Sequence, residues 1–142
     1  MIPTLNPLAG GPPDGIKSLV KGLRAHNCDS NVICLDCEHD EWLSQYNFPV
    51  KALGESSSKY GFSKKIVPWI VANIESFDAV IVHGIWQFHS LATYLACKKS
   101  TVPYFVFIHG ALDPWFKHNY MAKHLKKYMY WLLVEYHVLR RA

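Results

Sequence analysis

Four stretches of this chain are apolar without inside–outside alternation, and stretches with helical spacing lie between them. The apolar runs are Ile2 to Leu5, Val32-Ile33-Cys34-Leu35, Ala79-Val80-Ile81-Val82 and Tyr104 to Ile108. A strand covered on both faces has no polar side, so such runs predict inner strands of a parallel sheet. Ile16, Leu19, Val20 and Leu23 recur at helical spacing and predict a first helix, with Asp14 as its N-cap and Asn27 and Asp29 at its end. A second helix is expected from Ser63, with Ile66, Trp69, Ile70 and Ile74 in period. Pro68 suits its first turn and would kink it deeper in. Leu91, Tyr94 and Leu95 mark a third helix over Ser90 to Lys99, and a last helical pattern runs from about Lys117 to Arg141, in one piece or two.

From Asp36 to Phe62 neither period holds, and Gly54-Glu55-Ser56-Ser57-Ser58 reads as a loop. An irregular stretch of this length inside a compact domain is usually functional or mobile. Its aromatics, Trp42, Tyr46, Phe48, Tyr60 and Phe62, predict that it packs on something.

Unalternating strands separated by helices predict an α/β fold: a Rossmann-like, doubly wound parallel sheet covered on both faces. A length of 142 residues fits one such domain, and a hydrophobic content of 50% argues for a globular chain. The net charge of +4 permits an anionic ligand or membrane surface without demanding one, and no nucleic-acid motif stands out. The apolar runs fall far short of the roughly 20 residues that span a bilayer. The N-terminus has no basic flank, apolar segment and cleavage site in series. A cytoplasmic protein is the expectation, and its four cysteines fit that compartment. Cys34-Leu35-Asp36-Cys37, followed by His39, lacks the second ligand pair of a zinc site, so Cys34 is expected to be a small core hydrophobe and no metal is expected.

Parallel sheets of this kind bind ligands outside the carboxyl ends of their strands. Three such ends carry unusual residues: Gly10-Gly11-Pro12-Pro13-Asp14-Gly15, His83-Gly84-Ile85-Trp86 and His109-Gly110. The glycine loop runs into a helix N-terminus, where bare backbone N–H groups hold phosphate. Its spacing is neither that of dinucleotide enzymes nor a Walker loop, and a tight turn without a ligand is the other reading. Two histidines that each end a buried strand and precede glycine suit contacts with sugar hydroxyls or a reacting oxygen. Trp86, Gln87 and His89 add an aromatic face and polar tips on what reads as one loop. The competing reading is that Trp86 and Phe88 only staple the next helix. In the last segment His118, Lys123, His124, Lys126, Lys127, Arg140 and Arg141 interleave with Tyr128, Tyr130, Trp131, Leu132, Leu133 and Tyr136. Such a helix either lies on an anionic membrane or turns its lysines to solvent over a core face.

Taken together, Gly10-Gly11 through Gly15, the run from Phe77 to Trp86 and the run from Ile108 to Trp115 resemble the N-terminal domain of glycosyltransferase family 4. Val102-Pro103-Tyr104 and the terminal Leu139-Arg140-Arg141-Ala142 fit the same pattern, so the likeness covers nearly the whole chain in order. The resemblance implies one half of a GT-B enzyme, which moves a sugar from a nucleotide-sugar to a glycan or lipid-linked acceptor with retention of configuration and without a metal or other cofactor. It implies that Gly10 and Gly11 approach the donor phosphates and that His109 is the catalytic residue beside the transferred sugar. Asp14, Gly15, His83 and Trp86 would border the acceptor.

Two departures stand out. The family's C-terminal nucleotide-sugar domain carries paired glutamates seven residues apart, and no two glutamates here have that spacing. Met1 falls within what should be the first strand. The expectation is a truncated or split enzyme, inactive without a donor-binding domain that a separate chain could supply. It would work in cell-surface polysaccharide synthesis in the cytoplasm, with peripheral contact at the inner face of the membrane. The alternative is a non-catalytic module that binds an acceptor, a membrane or a partner.

Overall fold

The computed structural model describes residues 1–56, 58–112 and 127–142. Strand β1 (Val32–Cys34) pairs in parallel with β2 (Val50–Ala52), and β3 (Val80–His83) pairs in parallel with β4 (Tyr104–Phe107). Helix α1 (Gly11–Ala25) precedes β1, α2 (Ile66–Asn73) precedes β3, and α3 (Phe88–Cys97) joins β3 to β4. Near the C-terminus residues 127–130 are helical, a π turn follows at Trp131–Glu135, and α4 covers Tyr136–Arg140. The fold is thus mixed α/β with small parallel sheets.

The first residues of the chain hydrogen-bond to both sheets. Met1 donates to the Ile81 carbonyl at 2.6 Å and accepts from the His83 N–H at 2.9 Å, which sets Met1 opposite Val82 in a parallel pairing. On the other side Ile2 donates to Ile33 and Leu35 donates to Pro3, each at 3.0 Å. Asp36, buried just beyond β1, fastens this segment by accepting from the Leu5 N–H at 2.7 Å and from the Thr4 hydroxyl.

Strand β1 buries both faces, which explains its unbroken apolar run. Val32 and Cys34 join Ile2, Leu5, Ile16, Val20, Tyr46 and Phe48 in one core cluster under α1. Ile33 and Leu35 join Ile66, Ile70, Val82, Ala92 and Val138 in the other. Strand β4 differs: Tyr104 is buried, while Phe105 and Phe107 on its opposite face are about half exposed, at 52% and 47%. The Tyr104 hydroxyl donates to the Val138 carbonyl and so ties the C-terminal helix to β4.

Several element boundaries differ from the sequence expectation. Helix α1 begins at Gly11 with Gly10 as N-cap, so Asp14 lies in the first turn rather than capping it. Proline fits a first helical turn because those N–H groups have no partner within the helix, and Pro12 and Pro13 sit there. Pro68 is likewise the third residue of α2. The irregular stretch contains β2, whose three residues form no apolar run, and a 3-10 turn at Glu41–Gln45. Helix α3 starts at Phe88, two residues before the expected Ser90. The expected helix from Lys117 lies outside the described residues until 127.

Candidate functional site

The carboxyl ends of β3 and β4 and the start of α1 bring three of the singled-out residues together. His83 ends β3, is buried, and places Nδ1 at 3.0 Å from Nε2 of His109, which follows β4. A Cβ built on Gly15, in α1, would lie 3.9 Å from Cε1 of His109. His83, His109 and Gly15 therefore share one edge, though 26 residues separate the two histidines in sequence. The Phe107 ring lies nearly parallel to that of His83, with centroids 5.2 Å apart and planes inclined by 7°.

The backbone around these residues is left-handed at several points. His109 has φ +47° and is followed by Gly110 at φ +72°, while Gly84 at φ +94° precedes Trp86 at φ +72°. Residues with side chains are sparse in that region, and they cluster where the surrounding structure holds a functional loop. Here the holding groups are visible. Trp86 donates its backbone N–H to Glu135 Oε1 at 2.7 Å and its indole N–H to the Ala111 carbonyl at 3.2 Å. Its ring packs near Tyr130 and Trp131, with Lys127 Nζ 5.1 Å from its centroid. Trp86 thus links three segments, and its indole N–H is already engaged.

His89 is not on the loop with Trp86. It is the second residue of α3, fully covered, and its Nε2–H donates to the His83 carbonyl at 3.0 Å. Burial pushes the His89 imidazole down to about 4, partly offset by that bond. Burial is also the foremost cause that pushes His83 down to about 3. Both rings are accordingly neutral at physiological pH.

The glycine loop is open. Gly10 has φ +93°, and among the described residues no heavy atom lies within 4 Å of where a Cβ of Gly10 or Gly11 would stand. Of the first four residues of α1, two are proline, so the amides of Gly11 and Asp14 are the donors that an anion would meet. The exposed Asp14 carboxylate pairs with Lys17 at 3.4 Å, a turn along its own helix. Among the described residues no group of three or more His, Cys, Asp or Glu side chains stands ready to hold a metal.

Two contacts have no signature in the sequence, one through Glu135 and one between Tyr60 and Tyr130. Glu135 is fully buried, accepts from Trp86 and from the Ser90 hydroxyl at 3.0 Å, and has its carboxyl raised by burial. Tyr60 and Tyr130 bond hydroxyl to hydroxyl at 2.6 Å, joining the irregular stretch to the C-terminal helix. Glutamate in a helix is commonplace, and neither pairing has a local signature.

No family model, curated protein or solved structure matches this chain.

Proposed function

We propose that this chain is the acceptor-side domain of a GT-B glycosyltransferase, with a Rossmann-like doubly wound sheet at its centre. The hydrogen-bonded series β2, β1, residues 1–3, β3, β4 supports that topology. With residues 1–3 counted as the first strand, the order is that of a dinucleotide-type sheet read from one edge, and its switch point lies beside residues 1–3. Ligands of such sheets bind at that crevice.

The observation that carries the functional reading is the meeting of His109, His83 and Gly15 at this crevice. In the proposed enzyme the exposed His109 hydrogen-bonds the transferred sugar. Gly10 and Gly11 admit the donor phosphates, because no described residue projects there to exclude them. Asp14, Gly15 and Trp86 border a glycan or lipid-linked acceptor, with the buried His83 behind His109 on that side. A second, donor-binding domain, in the same chain or another, supplies nucleotide-sugar recognition. Transfer retains configuration without a metal and serves cell-surface polysaccharide synthesis at the cytoplasmic side of a membrane.

The test is titration of the 142-residue chain with oligosaccharides and polyprenyl-phosphate glycans, followed by amide NMR. Shifts concentrated at Gly11, Gly15, Gly84 and Gly110 are expected. A panel that leaves these four amides unmoved would sink the reading.

A second reading has its own observation. Tyr128, Met129, Leu132, Leu133 and Tyr136 are exposed at helical spacing, with exposed Arg140 and Arg141 beyond them. An apolar strip ended by cations suits an anionic membrane surface. No helix among the described residues is long and apolar enough to cross a membrane. Sedimentation with anionic vesicles tests peripheral contact, and a chain that stays in the supernatant at low salt rules it out.

A further inference from the structure

We propose that His83 is a positioning residue that acts on bound sugar only through His109, by locking that imidazole's orientation and tautomer. The inference rests on the reading of His109 as the sugar-contacting group. It gives His83 a role one step back from the ligand.

The geometry has three parts. First, the His83 imidazole is itself held. Its ring is buried against the nearly parallel Phe107 ring, and its backbone carbonyl accepts the His89 Nε2–H at 3.0 Å. A carbonyl only accepts, so His89 carries its proton on Nε2. Gly84 comes next in a left-handed conformation, φ +94°, that favours glycine, and a Cβ there would lie in ordinary contact, 3.6 Å, with His89 Nε2. Second, the held ring presents Nδ1 to His109 Nε2 at 3.0 Å. When both rings are neutral this contact contains one proton, donated by one ring and accepted by the other. Third, the contact occupies Nε2 of His109 and leaves Nδ1 as the ring nitrogen free to meet a ligand.

The proton's place in the bridge therefore decides what a ligand meets. If His83 donates, His109 carries its own proton on Nδ1 and offers a donor. If His109 donates, its Nδ1 offers a lone pair. A lone histidine in an exposed loop would sample both tautomers independently, whereas the bridge couples the tautomer of His109 to that of the buried His83. The same logic governs other imidazoles at working sites, where the bond made by one nitrogen sets the character of the other. The low proton affinity of His83 assists, since a neutral neighbour keeps one nitrogen able to accept.

The experiment is imidazole nitrogen NMR on the full chain above neutral pH, in wild type, His83→Phe and His83→Asn. Wild type is expected to show His109 in a single tautomer, with a nitrogen–nitrogen coupling across the bond to His83. Phenylalanine keeps a flat ring against Phe107 but removes the nitrogen, so the His109 signals should collapse to tautomer-averaged positions. Asparagine places a polar atom close to where Nδ1 was and should restore one tautomer. A purely packing role for His83 predicts the opposite ranking, with phenylalanine conserving the signals. If His83→Phe fails to fold, the wild-type spectrum still decides. An averaged His109 without coupling in wild type overturns the proposal, as do unchanged His109 signals in a folded His83→Phe. Loss of the glycan reading with the tautomer intact would leave this lock standing, so the two failures are distinct.

Discussion

Glu135 accepts the backbone N–H of Trp86 at 2.7 Å, although 49 residues separate them. Trp86 sits in a left-handed conformation at the mouth of the proposed crevice, and Glu135 lies in a π turn of the C-terminal helix. A fully buried carboxyl thus holds the shape of a strand-end loop, and the Ser90 hydroxyl shares the same oxygen at 3.0 Å. π turns inside α-helices are found frequently at functional sites.

Removing that acceptor should be costly. Glu135→Ala leaves the Trp86 N–H without its acceptor, while the Ser90 hydroxyl keeps the Gln87 carbonyl, and it opens a cavity; it is expected to cost roughly 2–4 kcal/mol in urea unfolding. Glu135→Gln keeps an oxygen for Trp86 and should lose less. Burial raises the Glu135 carboxyl above its ordinary 4.5, so the folded state keeps this proton to higher pH than the unfolded chain does. Its stabilisation is complete below that ordinary value and falls as pH rises through the folded one. The advantage of Glu135→Gln over wild type should therefore widen, or its deficit shrink, on going from acid toward neutral pH. A difference independent of pH would contradict this.

The buried histidines impose the opposite slope. His83 and His89 titrate at about 3 and about 4 in the folded chain, against an ordinary 6.5. Between those limits the unfolded chain binds the extra protons. Their contribution is present in full above 6.5 and is lost as pH falls toward the folded values. Each histidine contributes a slope of about 1.4 kcal/mol per pH unit inside its window. Urea midpoints measured across this range in wild type and His89→Asn should differ in slope by about one proton. Parallel curves would show that His89 is not buried in its neutral form.

The two glycines of the helix start should respond in opposite directions. Gly15 is helical, and an added methyl would make an ordinary 3.9 Å contact with His109. Gly15→Ala should stabilise the chain by about 0.5–1 kcal/mol. Gly15→Phe should leave the fold intact and abolish glycan-induced shifts by covering the His109 ring. At Gly10, with φ +93° and no described neighbour within 4 Å, alanine meets backbone strain and should cost about 1–3 kcal/mol. Thermal unfolding of the three variants checks the signs.

Leu132 and Leu133 are 50% and 70% exposed, so replacing both with serine removes little core packing. Unfolding should shift by less than about 1 kcal/mol. Vesicle sedimentation, if the second functional reading holds, should drop to the level of a neutral-lipid control. Retained binding would move the contact elsewhere on the chain.

The strands that were legible in the sequence are those written in consecutive apolar residues, whether both faces are covered, as in β1, or one is half exposed, as in β4. β1, β3 and β4 announced themselves as unbroken runs. β2 did not, because Lys51 stands exposed in its centre and its three residues acquire their meaning only by pairing with β1. The histidine-glycine pairs were legible as residues at strand ends, and His83 and His109 do meet. His89 was misread as a loop residue because helix α3 begins at Phe88, with no side-chain cap to mark its start.

The alternation of apolar strands and helices, the apolar face of α1 and the glycine-rich turn before it follow from the amino-acid order alone. Those features depend on neighbours within a few residues, where side-chain period and backbone preference act. Only the tertiary structure decided which nitrogen of His83 faces His109, that Glu135 reaches Trp86, and that residues 1–3 pair with both β1 and β3. Each of these rests on contacts between segments distant along the chain, made specific by hydrogen-bond direction and burial. Neither leaves a mark in local composition.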